Sequence, residues 1–118
     1  MTHERLNDLA RTIIDSNRYM VLGTADSDGH PWVSPVWFAS EDYEHFLWVS
    51  SPDARHSRNV VTRPEVAIAI FDSTVQPGEA QAVYMSGRAE QLAGTELERT
   101  RILEGENGVT HVHYRVQR

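Results

Sequence analysis

The chain has 118 residues, 24% charged and 40% apolar, which suits one folded domain with one hydrophobic core. With 17 acidic against 11 basic side chains the formal net charge is -6, which argues against nucleic acid or an anionic membrane as partner, so any anion site must be built locally. There is no cysteine, which excludes disulfides, thiolate metal centres and thiol nucleophiles and leaves redox chemistry to a bound cofactor. Charges run through Met1 to Ala10, unlike a secretory signal, and no apolar run approaches the ~18 residues of a membrane span, so the expected location is cytoplasmic.

Leu6, Leu9, Ala10, Ile13 and Ile14 recur at helical spacing, with Arg5, Asn7, Asp8 and Arg11 on the other faces; this predicts an amphipathic helix lying across a sheet as a lid. Tyr19 to Ala25 and Trp32 to Ala39 then read as a hairpin around the turn Asp26-Ser27-Asp28-Gly29. A second turn, Glu41 to Glu44, leads into a third antiparallel strand, Phe46 to Val49.

Ser51-Pro52-Asp53 predicts a helix start, since serine caps free amides, proline suits the first turn and aspartate complements the dipole. The helix should run to about Thr62 and end at Arg63-Pro64, because the residue before proline is pushed out of the helical region. Val66 to Phe71 is the next strand, Asp72 to Ala80 a loop, and Gln81 to Leu92 a long strand. Thr95 with Glu98 forms a capping-box signature for a helix to about Leu103, broken by Gly105 and Gly108; His111 to Val116 is a candidate last strand without an assignable partner. Strands joined mostly by hairpins, with one helix between the third and fourth, predict a mainly β chain with short helices (α+β) that closes as a small antiparallel barrel.

The segment Val49 to Asn59 carries the most chemical information: a strand ends in hydroxyls and enters a helix bearing cations. Free amides, Ser50, Ser51 and the Arg55 guanidinium can surround a phosphate with directed donors, or they can form a solvated basic face with a serine cap. Helical spacing places Arg55, Arg58 and Asn59 on one face and turns Val60 and Val61 towards the core, while His56 adds a cation when protonated. The neighbouring strand Ser34-Pro35-Val36-Trp37-Phe38 offers surface for a flat ring, with Pro35 expected at an edge or irregular point. Trp32, Trp37, Trp48 and Phe38 read equally as barrel core or subunit interface.

Taken together, Tyr19 to Leu92 resembles the pyridoxamine 5'-phosphate oxidase-like family of flavin-binding split β-barrels. The resemblance implies that Ser34-Pro35-Val36-Trp37 occupies the place of the strand lying along the isoalloxazine ring, that Val49-Ser50 matches an aromatic-threonine pair near the phosphate, and that Arg55-His56 matches a phosphate-binding Arg-Lys pair. It further implies a homodimer with FMN at the interface, Gln81 being the nearest candidate for a glutamine supplied by the partner subunit; Gly87 to Glu90 resembles a strand ending of the family. Two departures stand out: His56 replaces the lysine, and Ala39 stands where the vitamin B6 oxidase uses a substrate-binding lysine. The oxidase's C-terminal tryptophan and arginine segment also lacks a counterpart. Oxidation of vitamin B6 is therefore not expected.

The expected activity is that of an FMN-dependent oxidoreductase of unidentified substrate, in which the cofactor carries the hydride chemistry and no side chain is assigned as catalytic. Two alternatives share the fold. One is a reductase using the deazaflavin coenzyme; the other is a non-catalytic flavin- or haem-binding module, for which His111 and His113 alternate onto one face but lack a third ligand. No metal site is assigned.

Overall fold

The computed structural model describes residues 3–92 and 112–117, the last six by their backbone. Helix α1 (His3–Ser16) is followed by β1 (Tyr19–Ala25), β2 (Pro31–Ser40), β3 (His45–Ser50), α2 (Arg55–Thr62), β4 (Glu65–Phe71), β5 (Ala82–Gln91) and β6 (Val112–Gln117). All strand pairs are antiparallel, and the order β1-β2-β3-β6-β5-β4 closes on itself as a barrel.

The strands alternate as a barrel wall requires, one face to the core and one outward. Met20 and Leu22, Val36 and Phe38, Phe46 and Trp48, Val66, Ile68 and Ile70, and Val83, Met85 and Ala89 fill the interior. Trp48 and Phe46, both buried to 2% exposure or less, are the largest of these. Thus Trp48 and Phe38 belong to the core, whereas Trp32 and Trp37 are exposed.

The first hairpin is closed by Asp26, whose carboxylate accepts hydrogen bonds from the amides of Asp28 and His30, each at 2.9 Å, while Gly29 takes φ +88. That left-handed conformation is what glycine permits without strain. Helix α1 packs over β4 and β5 as expected of a lid, burying Ile14 and bringing Ala10 and Ile13 against the core. The Tyr43 hydroxyl donates to Asp15 at 2.8 Å and the Arg11 guanidinium lies 5.2 Å from the Tyr43 ring centre, so the β2–β3 turn latches the helix from its other side.

Three expectations are corrected. Helix α2 begins at Arg55, not at Ser51: the Ser51 hydroxyl accepts from the Asp53 amide and its carbonyl from the Ala54 amide, so Ser51 closes a preceding turn and Ala54 stands at the helix start without a side-chain cap. Within α2, Val60 faces the core and Arg55 and Arg58 face outward as predicted, but Asn59 is buried and Val61 is 74% exposed, so those two exchange places. The reason is a buried bond from Asn59 Nδ2 to Thr24 Oγ1, at 3.0 Å, which turns that side of the helix to the barrel. Finally, the last strand has partners on both sides: β6 pairs with β3 and β5 and completes the ring. The predicted helix from Thr95 to Leu103 and the breaks at Gly105 and Gly108 lie outside the described residues, as does His111.

Candidate functional site

β2 is longer than the partner it meets in β3. Their register holds for Phe38↔Trp48, Ala39↔Leu47 and Ser40↔Phe46, whereas among the described residues Pro31 to Trp37 pair with β1 alone. Pro35 therefore sits in a one-sided stretch of strand, as its missing amide donor suits. The two strands part at the end of the barrel from which α2 departs, and the first turn of α2 covers that end.

Three side chains of α2 make the cover. His56 Nε2 lies 2.8 Å from Ser50 Oγ and its Nδ1 lies 3.2 Å from Ser34 Oγ, so one imidazole bridges β2 and β3 where their pairing has ended. Asn59 bonds to Thr24 on β1. The Arg55 Cζ lies over the Trp32 ring, 4.2 Å from its centre. Ser34 and Trp32 share one side of β2 with the core residues Val36 and Phe38, which follows from strand alternation.

Burial pushes the His56 imidazole below its ordinary value of 6.5, so at neutral pH it is an uncharged bridge that donates through one nitrogen and accepts through the other. The fixed cations at this end are Arg55 and the exposed Arg58, three residues further along α2. Among the described residues Arg55 has neither an ion pair nor a hydrogen bond. Its in-plane N–H groups are thus available to an anion, and Asp53 does not neutralise it.

The predicted site residues divide accordingly. Ser34, Ser50 and His56 meet directly, with Arg55 beside them. Ser51 lies in the turn before α2. Val36 is a core residue at 5% exposure, while Pro35, Trp37 and Val49 face outward, Trp37 at 66% exposure. Gln81 lines a groove with Leu6, Leu9, Ala10 and Ile13 of α1. It adjoins Ala82, which pairs with Phe71, whereas α2 leads into the opposite end of β4, so within one chain Gln81 and α2 lie at opposite ends of that strand. His113 pairs with Val49 across β3 and β6.

Sequence reasoning missed Trp32 and the Thr24–Asn59 pair. The signal for Trp32 was its two-residue spacing from Ser34, which puts both on one side of β2. Thr24 offered no comparable signal, because its partner is 35 residues away.

The sequence profile of the pyridoxamine 5'-phosphate oxidase family matches residues 6–105. The chain belongs to that family. Solved structures agree in fold. A haem storage protein of Vibrio cholerae, HutZ, superposes with a TM-score of 0.76 at 21% identity over 95% of this chain and 89% of its own. A Clostridium acetobutylicum protein of the pyridoxinephosphate oxidase family, related to general stress protein 26 of Bacillus subtilis, gives 0.74 at 12% identity over 98% and 85%. A haem-binding protein of Mycobacterium smegmatis gives 0.72 at 24% identity over 91% and 48%. No curated protein matches the chain. These proteins share the fold of this chain, and no helix among the described residues is long and apolar enough to cross a membrane.

The donors present fit a phosphate-bearing planar cofactor: a guanidinium without an anionic partner among the described residues, two hydroxyls on a bridging imidazole, and a strand whose edge beyond Phe38 has no partner in β3. Once bound, a flavin would supply the hydride-transfer chemistry. In that case Arg55 and Ser50 would be the groups to hold the phosphate, with His56 fixing Ser50 in place, and Ser34 to Trp37 the strand to lie along the ring.

Proposed function

We propose that the chain is an FMN-binding oxidoreductase module that works as a homodimer, with the phosphate held at the start of α2. The observation that carries this reading is the Arg55 guanidinium, stacked on Trp32 and without an anionic partner among the described residues, beside the Ser34–His56–Ser50 bridge. FMN and the deazaflavin coenzyme both present a phosphate; the absence of lysine at the helix start favours FMN. The electron donor and substrate belong to the small-molecule class.

The dimer is supported by the outer face of β2, β1, β4 and β5. Val33, Trp37, Tyr19, Phe71 and Tyr84 are between 44% and 80% exposed there. The registers Tyr19↔Trp37, Val21↔Ala69 and Ala69↔Tyr84 place them across adjoining strands. A contiguous apolar face of this kind is usually covered, and a two-fold copy is the commonest cover. A second copy would also supply Gln81 from outside the chain that holds the phosphate.

Haem handling is the second reading, supported by the fold shared with the haem proteins of V. cholerae and M. smegmatis. Absorption spectra of the purified protein, followed by titration with FMN, the deazaflavin coenzyme and haemin, separate the readings. Submicromolar FMN binding that Arg55→Ala weakens about tenfold, without unfolding the protein, is the expected result for a charge-assisted phosphate contact. A haem Soret band with no flavin binding transfers the site to the second reading.

A further inference from the structure

We propose that Trp32 is the positioning residue of the phosphate site, holding the Arg55 guanidinium by its face so that the N–H groups in its plane remain free to clasp the ligand. This rests on the reading of Arg55 as a phosphate contact.

The geometry separates the two ways a guanidinium can bind. A ring engages its flat face, whereas phosphate oxygens take the N–H groups around its edge, so one arginine serves both at once. Arg55 Cζ lies over the Trp32 ring, 4.2 Å from its centre, and the side chain makes no hydrogen bond or ion pair among the described residues; a guanidinium laid flat at that distance commits its face and leaves its edge open. An arginine at the start of a helix carries a long, freely rotating stem, and ordering that stem opposes binding. A guanidinium already stacked has lost much of that freedom before the ligand arrives.

The strand also places the two residues with economy. Trp32 and Ser34 are neighbours on one side of β2, and they hold two consecutive residues of α2, Arg55 through the ring and His56 through its Nδ1. The stretch of β2 that lacks a partner in β3 therefore sets the position of Arg55 and of the imidazole that holds Ser50 beside it. Packing alone does not account for Trp32, which is 40% exposed, whereas Trp48 is 2% exposed and fills the core.

The test compares the full-length wild type with Trp32→Phe, Trp32→Ala, Arg55→Ala and the Trp32→Ala/Arg55→Ala double variant. Affinities for FMN and for riboflavin, which lacks the phosphate, are read by flavin fluorescence, and the Arg55 Hε resonance is followed in flavin-free protein. Trp32→Ala should weaken FMN binding about five- to tenfold while Trp32→Phe, which keeps an aromatic face, loses about twofold or less. Riboflavin affinity should be unchanged throughout, Trp32→Ala should cost nothing further once Arg55 is gone, and the Arg55 Hε should leave its ring-shielded position in Trp32→Ala. Equal loss of FMN and riboflavin, or an undiminished loss in the Arg55→Ala background, would show that Trp32 acts on the ligand or the fold directly and overturn the proposal. An Hε resonance that does not move overturns the stacking itself. Absence of FMN binding by the wild type, or indifference of FMN to Arg55→Ala, overturns the phosphate reading and this inference with it, and the flavin-free resonance tells the two failures apart.

Discussion

The His56 imidazole stands 2.8 Å from the Ser50 hydroxyl and so ties the first turn of α2 to the end of β3. Its other nitrogen reaches Ser34 on β2, and the group sits partly removed from water, uncharged. Proton uptake there means moving a charge into a poorly solvated gap between two strands.

Stability should therefore fall as the medium is acidified towards and below pH 6.5. Burial lowers the His56 value in the folded protein from its ordinary 6.5, so the unfolded chain binds the proton first as pH falls; the loss of stability grows until the lower folded value is passed and then stays constant. Asp26 and Asp42, whose values are lowered from 3.8 chiefly by hydrogen bonds from His30 and His45, stabilise above that range and lose the effect only in stronger acid. Thermal unfolding followed from pH 8 to pH 5 should show a downward slope that His56→Gln flattens. An identical slope in the variant assigns it elsewhere.

The Thr24–Asn59 bond is buried at both ends, since Thr24 is 6% and Asn59 5% exposed. Asn59→Ala should destabilise by about 1–3 kcal/mol, the usual cost of leaving a buried partner unpaired and a small void beside it. Thr24→Val combined with Asn59→Leu should recover part of the loss, because both polar partners leave together. Chemical denaturation of Asn59→Ala, Thr24→Val, Asn59→Leu and the double variant measures this, and additive losses in the double variant would refute the pairing as the cause.

Ser57 is 1% exposed and its hydroxyl has no partner among the described residues. Ser57→Ala removes a desolvated polar group of nearly the same size, so the melting temperature should hold or rise, equivalent to about 0–1 kcal/mol. A clear loss of stability would show that the hydroxyl is satisfied by a bound water.

The exposed face built by Trp37, Tyr19 and Tyr84 should be covered in solution by a second copy. Light scattering should give twice the mass of the 13.4 kDa chain, and Trp37→Glu together with Tyr84→Lys should return it to the monomer, with flavin affinity falling in step. A wild-type monomer that still binds FMN would place the whole site within one chain.

Much of the barrel was legible from local pattern. β1 matches its expected range of Tyr19 to Ala25, and α2 ends where Arg63-Pro64 forbids continuation. The start of α2 was less legible because Ser51 suits two roles, helix cap and turn, and the choice between them depends on where the Asp53 and Ala54 amides point. Asn59 and Val61 of α2 were misplaced for a related reason. Val61 looked apolar enough to be inside, yet Thr24, far away in sequence, drew the Asn59 side inward.

By itself the sequence determined the alternation of the strands, the two turns of the opening meander, and the chemical types gathered between Val49 and Asn59. Those features are local: side-chain parity and turn chemistry act over a few residues. Only the tertiary structure decided which of those groups meet. The parting of β2 from β3 opened the gap that His56 spans, barrel closure gave β6 its two partners, and the fold of β2 against α2 set Trp32 under Arg55. Each joins residues distant along the chain, and their placement follows from packing the whole ring, which no short window of sequence contains.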